Sequence, residues 1–238
     1  MKLSFKKFTA LAVSILMLFG LTAIADTTEA NETQKDITIV DTVITSDALI
    51  TSDAAVNFTD LSGDDWAYDA ILNLTSKGIV SGDSEGTIRP DGNVTREEVA
   101  KMMVVARRFA IAQDTAIEAQ DADSISEWAK GYFKTAVEKG IINGYTDGTV
   151  RGTGAVNRAE MATIIVRSIN ASTENFNVSS FTDITEADWY AKYVECAKTL
   201  GIVNGYQDGS FRGEDLVTRR EAFAMIERMV RLLEALEA

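Results

Sequence analysis

The sequence predicts a mainly α protein built from three tandem helix–loop–helix units. Two spacings carry this expectation. Trp66, Trp128 and Trp189 stand 62 and 61 residues apart. Each is followed 12 residues later by a glycine (Gly78, Gly140, Gly201), and each glycine 18 residues later by an arginine (Arg96, Arg158, Arg219). Self-similarity at one fixed period is the signature of a repeat architecture. The third observation is a helix-start signal in triplicate: Thr95-x-x-Glu98, Asn157-x-x-Glu160 and Thr218-x-x-Glu221. In each, the Thr or Asn side chain accepts from an orphan N–H, and the Glu reaches back to the cap's own N–H.

The elements follow in order. Residues 1–25 read as a signal peptide, with Lys2, Lys6 and Lys7, then an apolar run, then Ala23-Ile24-Ala25 as a cleavage site. Removing it would leave 20 basic and 36 acidic residues, a net charge of −16. No second long apolar run follows, so no membrane span is expected in the mature chain. Residues 26–57 are rich in Thr, Asp and Ala and read as a linker or arm that could dock an envelope protein. The repeats then run over 58–112, 120–174 and 181–235. In each, the first helix begins near the Trp. In repeat 2 its inward face reads Trp128, Tyr132, Phe133, Ala136 and Val137. Gly78, Gly140 and Gly201 sit where a helix terminus turns left-handed. The second helix carries apolar residues at helical spacing, such as Val99, Met102, Met103 and Ala106. One such pair cannot bury its apolar face alone; three stacked pairs can share a core.

Composition narrows the function. The chain has 238 residues, no His, one Cys and a formal charge of −13. That charge argues against nucleic-acid binding, which rests on Lys and Arg neutralising phosphates. The lack of His removes Ser-His-Asp catalysis and His-ligated zinc. Cys196 lies in an apolar helical stretch and reads as a buried small hydrophobe. The loop "GIINGYTDGTVRG" has no Lys-Ser/Thr after its glycines, so it is not a phosphate loop. Numbered as a calcium loop from Asn143, it has Tyr145 at position 3 and Gly154 at position 12, and the pattern fails. No metal, cofactor or catalytic group is readable, and no enzyme activity is expected.

Arg96, Arg158 and Arg219 each occupy the first position of a capped helix. The helix dipole makes that place unfavourable for a cation by up to about 1 kcal/mol. Two readings are open. Each Arg could pair with a nearby acid, such as one from its own Asp-Gly loop. Alternatively, an Arg beside free backbone N–H groups forms an anion site. Trp66, Trp128, Trp189, Tyr145 and Tyr206 offer flat faces for sugar rings or, equally, bulk for a core. Asp60 and Asp183, six residues before their Trp, read first as helix caps.

The motifs resemble the S-layer homology domain. Repeat 1 has "FTDLSGDDW", "GIVSGDSEGTIRP" and "VTREE"; repeat 2 has "GIINGYTDGTVRG" and "VNRAE"; repeat 3 has "FTDITEADW", "GIVNGYQDGSFRG" and "VTRRE". The resemblance implies one pseudo-threefold helical domain with grooves between repeats. It implies that the grooves bind secondary cell-wall polysaccharide, often pyruvylated, and hold an exported protein on the bacterial wall without a covalent bond. It further implies that Arg96, Arg158 and Arg219 contact a ketal carboxylate and that Trp66, Trp128 and Trp189 line the grooves. Asp60 and Asp183, with the second glycines Gly82, Gly144 and Gly205, would complete the sugar contacts. The alternative is an envelope interaction protein whose Arg residues serve internal ion pairs. Repeat 2 departs from the pattern: aligned on Trp128, it has Gln120 and Ala122 where Phe and Asp belong, with Asp121 or Asp123 as substitutes after a one-residue slip. Unequal grooves are expected, with that of repeat 2 the weakest.

Overall fold

A computed structural model describes residues 58–176 and 179–238. The expected signal peptide at 1–25 and the expected arm at 26–57 lie outside the described residues. Among the described residues six α-helices follow in order: α1 Tyr68–Ser76, α2 Arg96–Ala106, α3 Lys130–Glu138, α4 Arg158–Ser168, α5 Ala191–Thr199 and α6 Arg219–Glu237. Short 3₁₀ turns at Ala122–Ser124 and Glu127–Ala129 lead into α3. No helix among them is long and apolar enough to cross a membrane.

The local signals act as the sequence predicts. Thr95, Asn157 and Thr218 cap α2, α4 and α6, and in each case the N3 Glu completes the box. Gly78, Gly140 and Gly201 adopt φ of 68°, 67° and 72° just past α1, α3 and α5. This left-handed turn is free of steric cost only for Gly.

The pairing of helices is circular. Each repeat's second helix packs against the first helix of the next repeat: α2 on α3, α4 on α5, and α6 back on α1. At the centre, three fully buried valines close a ring. Val94 N–H donates to the Val217 carbonyl (3.2 Å), Val217 to Val156 (2.9 Å) and Val156 to Val94 (3.0 Å). Each donor thereby finds its acceptor in another repeat, which satisfies backbone groups that burial would otherwise orphan. The three repeats make one mainly helical unit. Phe133, Phe211, Phe223, Ile71 and Leu74 are fully buried in its continuous core.

Repeat 3 differs at its end. A left-handed Arg108 follows α2 and a left-handed Asn170 follows α4. The chain instead continues α6 for 19 residues, with Leu232 and Leu233 packed against the core.

Candidate functional site

The recurring arginines link neighbouring repeats. Arg96, at the start of α2, reaches into the loop of repeat 2. Its Nε donates to the Val150 carbonyl and its Nη2 to the Asn143 carbonyl, both at 3.0 Å. Arg158 enters the loop of repeat 3 in the same way, to Phe211 (2.9 Å) and Asn204 (3.3 Å). Arg219 closes the circle on repeat 1, with Nε donating to the Ile88 carbonyl (2.8 Å). Each Nη1 faces the capping-box Glu of the repeat it enters: Arg96 to Glu160 at 3.6 Å, Arg158 to Glu221 at 3.4 Å, and Arg219 to Glu98 at 2.5 Å. The arginines are 4%, 5% and 8% exposed. An ion pair thus forms, with the acid in the next repeat and not in the Arg's own Asp-Gly loop.

The sequence leaves the N–H groups beside each Arg free for an anion. The structure fills them. Arg96 and Glu97 N–H donate to the Gly154 and Gly152 carbonyls, Arg158 and Ala159 to Asp215 and Gly213, and Arg219 and Arg220 to Gly92 and Pro90. With N3 taken by the cap side chain, the first three N–H groups of each helix have protein partners. The carbonyls at the helix start also offset the dipole that disfavours a cation there.

The aspartates hold the loops. Asp60 accepts from the N–H groups of Ile88 (2.9 Å) and Arg89 (2.7 Å), and Asp183 from those of Phe211 and Arg212, both at 2.7 Å. They cap no helix. Each stabilises an arginine in the left-handed region, where Arg89 and Arg212 have φ of 50° and 58°. In repeat 2 the residue that does this is Asp121, which accepts from Val150 and Arg151 at 2.8 Å. The extra residue between it and Trp128 is absorbed by the 3₁₀ turn at Ala122–Ser124. Asp147 and Asp208 extend the loop scaffold. Their carboxyls are held well below the usual range by the hydroxyl and amide of Thr149 and Ser210 and by Arg151 and Arg212.

Two of the second glycines, Gly82 and Gly205, lie under aromatic rings. A Cβ on Gly205 would stand 2.4 Å from Phe181 Cε1 and 2.8 Å from the Ser210 carbonyl, and one on Gly82 would stand 2.7 Å from Phe58 Cε1. Repeat 2 has Ala119 in place of the Phe, and a Cβ on Gly144 meets nothing nearer than the Thr149 carbonyl at 3.1 Å. Gly205→Ala is therefore expected to cost about 1–3 kcal/mol through overpacking, and Gly144→Ala measurably less. Urea denaturation of the two variants checks this, and equal losses would contradict it.

Among the described residues, three surface grooves each draw on all three repeats. The first combines Gly82, Asp83, Lys101 and Met102 of repeat 1 with Trp128 of repeat 2 and Arg219 of repeat 3. In the second, Gly144, Tyr145, Glu160 and Arg167 of repeat 2 join Trp189 and Arg96. Gly205, Tyr206 and Met225 of repeat 3 join Trp66 and Arg158 in the third. Their volumes are about 170, 670 and 180 Å³. Of the three, the groove of repeat 2 has the largest volume, and Asp121 holds its loop as Asp60 and Asp183 hold the other two. Asp60 and Asp183 line none of the three and act on them through the loops they hold.

The tryptophans are surface groups. Trp66, Trp128 and Trp189 are 61%, 50% and 55% exposed. Trp128 does not join the inward face of α3, which is led by Phe133 and Ala136; it lies in the 3₁₀ turn before the helix. The bulk role thus fails for the Trp residues, and their rings are available at the groove mouths. In the second groove the Tyr145 hydroxyl donates to Glu160. Burial, reinforced by that bond, pushes the Tyr145 hydroxyl up to about 12. Cys196 is buried and its thiol is pushed up to about 11 by burial, which leaves it unreactive. Among the described residues no group of His, Cys, Asp or Glu is placed to hold a metal ion.

Glu98, Glu160 and Glu221 were legible as caps but not as groove residues. Their second role depends on the neighbouring repeat's Arg, which local spacing does not report. What the grooves offer is a flat indole, a polar loop and a buried cation, side by side. That combination suits a sugar ring bearing polar substituents.

A sequence profile of the S-layer homology domain matches residues 57–100, 120–162 and 180–223. Among curated proteins, the chain is 34% identical over 141 residues to a cellulosome-anchoring protein of Acetivibrio thermocellus, covering 58% of this chain and 32% of the relative. It is 27% identical over 177 residues to an S-layer protein of Bacillus thuringiensis subsp. finitimus, covering 74% and 21%. It is 32% identical over 179 residues to exoglucanase XynX of Acetivibrio thermocellus, covering 72% and 16%. The chain spans about a third or less of each of these relatives.

Proposed function

This chain belongs to the S-layer homology domain family, and from that premise we propose that it holds itself, or what it carries, on the bacterial cell surface by binding secondary cell-wall polysaccharide. Binding is non-covalent and non-catalytic. Relatives described as a cellulosome-anchoring protein and an S-layer protein support the surface role. The matched region in the exoglucanase is 16% of that enzyme's length.

The observation that carries the proposal is the threefold recurrence of an exposed Trp beside a buried Arg in a groove. Trp66, Trp128 and Trp189 stack on sugar rings. Arg96 and Arg158, whose Glu contacts are the looser ones, supply positive charge for a carboxylate such as a pyruvate ketal. Gly82, Gly144 and Gly205 let the loop backbone form the groove wall, while Asp60 and Asp183 keep each loop in place.

A second reading has its own support. The Arg–Glu pairs between repeats are what an interaction protein with internal ion pairs would contain. Sedimentation with cell walls separates the two readings. The full chain is expected to pellet with de-proteinised walls and to stay in solution with walls stripped of their secondary polymer. Pelleting should persist at moderate salt, because repulsion from the acidic surface is long-range and screened beyond about 8 Å. Equal behaviour with both walls overturns the polysaccharide reading in favour of the second.

A further inference from the structure

The three grooves differ in charge at one helical position. Aligned on their first Arg, α2, α4 and α6 present Lys101, Thr163 and Ala224 five residues on, and each of these lines its own groove. The same place therefore offers an ammonium, a hydroxyl or a methyl group. We propose that Lys101 is the residue through which the first groove recognises an anionic group of the wall polymer; this rests on reading the grooves as polysaccharide sites.

Two contacts support the assignment. First, the groove's arginine is already neutralised. Arg219 meets Glu98 at 2.5 Å, whereas the equivalent contacts of Arg158 and Arg96 are 3.4 and 3.6 Å. Arg89, the other arginine of this groove, pairs with Asp83 at 3.6 Å. Lys101 has no ion pair among the described residues. Second, its ammonium lies 5.8 Å from the centroid of the Trp128 ring. The attraction of a cation for an indole face favours a position over the groove. A sugar settling against Trp128 would bring its acidic substituent beside three ammonium donors, while the groove's own carboxylates, Asp83 and Glu98, are paired with Arg89 and Arg219.

The second groove supplies the contrast. Thr163 is 2% exposed, and its Oγ1 has no hydrogen-bond partner among the described residues. A hydroxyl there can meet a neutral sugar hydroxyl but adds no charge for an acid.

The chain has three tryptophans, one per groove, so each groove can report on itself. In the full chain, W66F/W189F leaves Trp128 as the reporter and W66F/W128F leaves Trp189. Each is titrated by fluorescence with purified secondary wall polymer and with the same polymer after chemical reduction of its carboxyl groups. Carboxyl reduction is expected to weaken binding at Trp128 by about tenfold, the scale of a lost charge-assisted hydrogen bond. Lys101→Thr should cause a similar loss with native polymer and abolish the sensitivity to reduction, while Lys101→Arg retains both. Binding at Trp189 should not respond to Lys101→Thr. The proposal is overturned if Lys101→Thr leaves the Trp128 affinity unchanged, or weakens native and reduced polymer equally, which would mean packing and not charge. If neither reporter responds to native polymer, the polysaccharide reading fails first and the proposal with it.

Discussion

Arg158→Ala should destabilise the domain by about 3–5 kcal/mol, the cost of removing one partner from a buried charged pair. That is a large part of the roughly 5–15 kcal/mol by which a typical domain is stable. The size follows from what the side chain does. It is 5% exposed, it donates to carbonyls of Phe211 and Asn204 in the next repeat, and it faces Glu221. Truncation leaves those carbonyls and a capping-box carboxylate short of their donor. It also opens the joint between repeats 2 and 3, and all three grooves use all three repeats. Arg158→Lys keeps the charge but not the planar fork, so its loss should fall between wild type and Ala. Urea denaturation measures both. A loss under about 1 kcal/mol for Arg158→Ala would mean that the relay of arginines contributes little to closing the ring.

The tryptophans should behave in the opposite way. Replacing any one of them with Ala should change stability by only about 0.5 kcal/mol, as for other exposed side chains. Binding at the affected groove should fall by about 30-fold, the effect of losing an aromatic anchor worth about 2 kcal/mol. The triple variant should not sediment with cell walls while keeping the circular dichroism and urea midpoint of the parent. Unfolding of the single variants would assign the rings to the core. Unchanged sedimentation of the triple variant would remove them from the binding surface.

Much of this architecture is legible in the sequence because its signals are local. A capping box and a left-handed Gly act over three or four residues, so three copies of each were readable and stand where expected. Contacts between repeats were not readable. The partner of Arg219 is Glu98, 121 positions earlier, and no spacing rule connects them. The same limit explains Asp60 and Asp183. Proximity to a helix start suggested caps, but their partners are loop amides 28 and 29 residues away. Trp128 misled for another reason. An aromatic in phase with Tyr132 and Phe133 looks like one face of a helix, yet the helix begins only at Lys130. Repeat 2 looked weakest because its pattern breaks on alignment to Trp128; the one-residue slip, open between Asp121 and Asp123, falls on Asp121, which does the work of Asp60. The two amide hydrogen bonds to Asp121 show that the loss of a sequence pattern need not mean the loss of the geometry it encodes.

The indole N–H resonances of Trp66, Trp128 and Trp189 provide the most direct measurement, because each reports on one groove. Titration of the full chain with purified secondary cell-wall polysaccharide should shift all three, and do so by different amounts, since the grooves differ in size and charge. If the polymer binds while all three indole signals stay in place, the grooves are not where it binds and the account is wrong.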